Sequence, residues 1–81
     1  MNEELDLFFR TNNIAMSVLR TMMKQSPQSP VAISKSGNLS AGAAQAIAAE
    51  PQYRRAIEAG FEPADLLVGI AEVLRNFQGA R

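Results

Sequence analysis

The acid–base chemistry open to this sequence rests on carboxylates, chiefly Glu50, Glu58, Glu62, Asp65 and Glu72 in its second half. Carboxylates catalyse when a nucleophile, a phosphate-binding loop or a polarising group stands beside them. The chain supplies no such companion. It has no histidine and no cysteine, so Ser–His and Cys–His nucleophile pairs cannot form. Ser34, Ser36 and Ser40 lack a base and read as turn and cap residues. Glu62 and Asp65 flank a predicted helix start, where acidic groups complement the helix dipole. The same two missing residue types remove the ligands of most structural zinc, haem and iron–sulfur sites. The expectation is a protein that is not an enzyme, with no catalytic residue, no metal, no cofactor and no small-molecule substrate.

What remains is contact chemistry. Written as heptads from Leu5, the first twenty-odd residues place Leu5, Asn12 and Leu19 at a, Phe8, Ala15 and Met22 at d, and Phe9, Met16 and Met23 at e. That is a wide apolar face. A stripe at this spacing is what any bundle helix buries, but Leu7, Ile14 and Val18 lie partly outside it. One helix therefore carries more apolar surface than a short neighbour covers. Phe and Met adapt to varied partners, so Leu5, Phe8, Phe9, Asn12, Met16, Leu19 and Met23 are the candidate partner-binding residues. Asn12, an amide at an a position, can set the register of an association, or simply break the stripe toward solvent.

Tyr53, Arg54 and Arg55 offer a second contact chemistry. They follow a short helix and a tight turn, superficially a helix-turn-helix whose Arg54 and Arg55 would reach phosphates. Pro51 stands where such a turn prefers glycine, Glu50 and Glu58 offset the charge, and no set of base-reading side chains is visible. An exposed helix face is the plainer reading.

The elements that position these residues are helices. At 81 residues, 47% apolar and 20% charged, the chain is predicted to form one helical domain over 1–81 and to stay folded. Asn2 caps a first helix whose Glu3, Glu4 and Asp6 suit its N-terminus and whose Arg20 and Lys24 suit its C-terminus. Pro27 and Pro30 stop it. A connector over 25–40 follows, irregular or partly mobile, with Val31, Ala32 and Ile33 tucked under the core and a turn at Gly37-Asn38. Ser40 caps an Ala-rich helix that ends before Pro51, which begins another helix ending at Gly60. A last helix runs from about Pro63 to Phe77 with Leu66, Ile70, Val73 and Phe77 on its stripe, widened by Leu67 and Leu74. Between Gln25 and Ala49 the one charged residue is Lys35, so the Ala-rich helix is expected at the centre, between the first helix and the last. The fold class is all-α, a bundle of three to four helices.

A helix, a Pro-x-x-Pro turn from Pro27 to Pro30 and a terminal Asn76-Phe77 resemble the needle subunits of type III secretion systems, in four residues. After the turn those proteins resume a long helix, whereas this chain passes through Gly37 and breaks again at Pro51, Gly60 and Pro63. The resemblance implies a filament-forming subunit, which is kept as one alternative.

Eight acidic and eight basic residues give no global field toward nucleic acid or an anionic membrane. No run approaches the ~18 apolar residues that span a bilayer. MNEELDLFFRTNN lacks the features of a secretory signal, so a cytoplasmic location is expected. The functional expectation is an interaction module of the small regulator, adaptor, inhibitor or chaperone type, associating with itself as a homodimer or larger, or with a partner protein. The alternative is a dimeric DNA-binding regulator using the 45–60 segment.

Overall fold

The computed structural model describes residues 3–25 and 31–78. Within them the chain is a small all-α bundle of four helices, α1 (Glu3–Gln25), α2 (Ala41–Ala49), α3 (Pro51–Glu58) and α4 (Pro63–Gln78). Asn2, Pro27 and Pro30, the expected cap and helix stops, lie outside the described residues.

α1 is the hub, since it packs against each of the other three helices. Its first turn is acidic and Lys24 stands in its last, both favourable to the dipole. The face it buries carries Thr11, Ile14, Ala15, Val18 and Met22, with Leu7 and Leu19 half-buried beside them. Of the d positions Ala15 and Met22 are buried as expected and Phe8 is not, and the a and e assignments are corrected. The buried line runs through Leu7, Ile14 and Val18, the residues placed at the edge of the expected stripe. Thr11 tolerates burial because its hydroxyl donates to the Phe8 carbonyl at 3.0 Å, leaving no unsatisfied polar atom.

α4 lies along this line and buries Leu66, Ile70 and Leu74. The helices approach closely at Gly69, where an added Cβ would sit 2.7 Å from Thr11 Cγ2. Val73 is half-buried. Phe77, expected on the core stripe, is exposed.

α2 is not central. It packs on α1 and α3 and buries Ala43 and Ile47, while Ala41, Ala44, Gln45 and Ala48 face solvent. Alanine costs little on either side of an interface, so absence of charge did not require burial on all sides. Ser40 caps α2 as expected: its Oγ accepts from the Ala43 amide at 3.1 Å and donates to the Val31 carbonyl at 2.7 Å. Pro51 opens α3 directly after Glu50. Glu50 fixes the joint to α1, its two carboxylate oxygens accepting from Ser17 Oγ at 2.9 Å and Gln52 Nε2 at 3.3 Å. α3 ends in a Schellman motif, with Phe61 N donating to Ala56 O at 3.1 Å, Gly60 N to Ile57 O at 3.0 Å, and Gly60 at φ +104°. The Phe61 ring then receives the Arg10 guanidinium 5.0 Å from its centroid, which ties this corner to α1.

Residues 31–40, expected to be irregular, form a tight loop closed by an antiparallel β-bridge between Ile33 and Leu39. Ser34 N donates to Asn38 O at 2.7 Å and Gly37 N to Ser34 O at 2.9 Å, with Gly37 at φ +88°. The turn thus closes on Ser34 rather than at Gly37-Asn38. Ala32 and Ile33 are buried as expected, but Val31 is exposed. α4 holds the loop in place. Gln78 Oε1 accepts from the amides of Ala32 and Ile33 at 2.9 and 3.1 Å, its Nε2 donates to the Ile33 carbonyl at 3.0 Å, and Arg75 Nη2 donates to Gly37 O at 3.0 Å. Gln78→Leu removes the shared acceptor from two buried residues and should cost about 1–3 kcal/mol in urea unfolding. Amide hydrogen exchange should accelerate first at Ala32 and Ile33.

Candidate interaction surface

At 100° per residue, Leu5, Phe9, Met16 and Met23 fall within an arc of about 40° on α1, centred roughly 150° around the helix from the buried line through Thr11 and Val18. The flank is open. Phe8 is 59% exposed, Phe9 56%, Met16 39%, and Leu5 and Met23 48% each. Leu19 is half-buried at the inner edge of this flank, and Asn12 is half-exposed with its Nδ2 donating to the Phe8 carbonyl at 2.7 Å. The amide is thereby spent partly on its own helix. Phe8 and Phe9 stand edge to face, 6.0 Å between centroids at 61°, which holds two large rings side by side at the surface.

The reason for the exposure is length. At 1.5 Å per residue α1 is about 35 Å long, while α2 and α3 contribute nine and eight residues and both lie on other sides of it. α2 borders Thr21 and Gln25, away from Met16 and Met23. The Ala-rich segment therefore does not extend the apolar flank.

α4 extends it instead. Phe8, Asn12 and Met16 share an open hollow of about 600 Å³ with Val73, Asn76 and Phe77. A second, of about 220 Å³, lies between Leu19, Met23, Ala32, Leu74 and Phe77. Phe77, 53% exposed, divides the two. Its place in this furrow was not read from sequence, because its spacing from Ile70 and Leu74 matched a core position. The pattern cannot register that the last turn of α4 meets the open side of α1.

Arg54 and Arg55 are both exposed on α3. α2 and α3 are joined through Glu50 alone, not through the three- or four-residue turn of a helix-turn-helix. Arg55 shares a shallow hollow with Arg10, Asn13, Ile14 and Gln52. Among the described residues no group of three or more acidic side chains could hold a metal ion, and no helix is long and apolar enough to cross a membrane. Comparison of the chain with protein-family models, with curated proteins and with solved structures finds no match.

Proposed function

We propose that this chain is a non-enzymatic protein–protein interaction module, of the small regulator, adaptor, inhibitor or chaperone kind, that works through the apolar flank of α1. One observation carries the reading: Phe8, Met16, Met23 and Phe77, each 39–59% exposed, line adjoining hollows, with Phe9, 56% exposed, edge to face against Phe8 beside them. Together they present on the order of 500 Å² of apolar side chain, at the upper end of what a lone soluble domain shows in one patch. Leaving that area in water forgoes roughly 25 cal/mol per Å², so covering it is a strong drive toward association. The furrow is open and elongated, which suits a helix laid along it better than an enclosed small molecule.

Met16→Lys and Met23→Lys test this, since both positions are exposed and a lysine there leaves the core intact. Each should preserve the circular dichroism spectrum. Each should weaken self-association, or capture of a crosslinked partner in the native host, by at least about tenfold, because the charge must be desolvated in the contact. If sedimentation and crosslinked partners are both unchanged in both folded variants, the contact surface lies elsewhere.

A further inference from the structure

We infer that the occupant of this flank is a second copy of the chain, its α1 antiparallel to the first about a two-fold axis level with Ile14. The inference rests on the interaction-module reading and adds the identity and direction of the partner. Three observations support it.

The first is the charge along α1. Glu3, Glu4 and Asp6 occupy its first turn, and Arg20 and Lys24 its last two. Parallel association would stack acid on acid and base on base. Antiparallel association lays each acidic end over the other chain's basic end. On the helical wheel Asp6, Arg20 and Lys24 lie on the same border of the apolar flank, and like borders meet in an antiparallel pair. Asp6 then stands between the heights of the partner's Arg20 and the partner's Lys24. Its bond to Arg10, at 3.2 Å, is exposed and occupies one carboxylate oxygen.

The second is register. The alignment that places the charges also matches the apolar side chains. Met23 is level with the partner's Leu5, and both stand within the central arc of the flank. A shift by one helical turn in either direction takes Met23 off the partner's Leu5 and draws Asp6 away from one of its two cations. The amide of Asn12 then lies next to the axis, where a polar group penalises displaced registers.

The third is area. A patch on the order of 500 Å² contributed by each of two copies totals about 1,000 Å², the lower bound of a specific interface. A two-fold contact uses the same patch twice, which a self-complementary surface requires.

The chain has no cysteine, so single introduced cysteines report direction without background. Wild-type protein should sediment at twice its 8.8 kDa mass at micromolar concentration, and Met16→Lys at the monomer mass with an unchanged dichroism spectrum. Under mild oxidation, a mixture of the Leu5→Cys and Met23→Cys chains should form the mixed disulfide, while Met23→Cys alone should not crosslink to itself. Arg20→Glu with Lys24→Glu should weaken the dimer about tenfold at low salt, and adding Asp6→Lys to the same chain should restore part of it. A wild-type monomer at every concentration overturns the inference, and so does rapid self-crosslinking of Met23→Cys, which means parallel helices. If the wild type is monomeric yet Met16→Lys abolishes capture of a different protein, the interaction-module reading stands and the second copy is excluded. A dimer indifferent to Met16→Lys and Met23→Lys overturns the inference, and overturns the interaction-module reading too if the crosslinked partners are also unchanged.

Discussion

Ile70→Ala should lower the stability of the domain by about 2–5 kcal/mol, enough to leave much of a chain this small unfolded at physiological temperature. Ile70 is fully buried on α4 between Leu66 and Leu74, facing the Ile14 and Val18 side of α1. The substitution removes its buried methyl groups and leaves a cavity whose walls, helices on both sides, relax only partly. Leu19→Ala is the informative comparison. The heptad pattern gives Leu19 the same rank as Ile70, but it is only half-buried, and truncation there should cost about 1–2 kcal/mol. Urea titrations followed by circular dichroism separate the two. Equal losses would mean that α1 is rotated about its axis relative to the arrangement described.

Gly69→Ala should also destabilise, against the propensity scale. In an exposed helix interior this change gains about 1 kcal/mol, because alanine loses less backbone freedom on folding. Here the new Cβ would meet Thr11 Cγ2 at 2.7 Å and Thr11 Cβ at 3.1 Å. Both helices are fixed by the Ile14, Ile70 and Leu74 packing around them, so the clash is relieved only by moving α4 outward. Overpacking of this kind costs about 1–3 kcal/mol, and with the backbone already committed the net should be a loss. Thr11→Ala in the same chain removes Cγ2 and should recover part of it, a coupling readable as a double-mutant cycle in thermal unfolding. A neutral or stabilising Gly69→Ala would show that α1 and α4 stand further apart.

Much of this architecture was legible in the residues because local signals agreed with one another. Ser40, Pro51 and Gly60 each act where backbone chemistry dictates: a hydroxyl for an orphan amide, a ring where no donor is needed, a left-handed turn without a Cβ penalty. The phase of α1 was harder. Its apolar residues occupy well over half the circumference, so periodicity marks a helix but not which part of it turns inward. Thr11 and Gly69 decided that, and neither is apolar enough to enter a hydrophobic pattern. The place of α2 was misread for a related reason, since alanine is nearly indifferent to burial. The Gln78 clasp had no local signal at all, being made across 45 and 46 residues of sequence. The candidate surface was legible in its α1 half, where Phe and Met crowd one helix, and not in its α4 half, where Phe77 keeps core spacing.

That clasp also constrains the order of events during synthesis. The amides of Ala32 and Ile33 find their acceptor on Gln78, so in a nascent polypeptide this short hairpin stays unlatched until the end of α4 is available. The Ile33–Leu39 bridge can close the hairpin alone, but it locks onto the bundle only when Gln78 clears the exit tunnel. Until then two greasy side chains beside α1 stay within reach of any holdase waiting at the tunnel mouth.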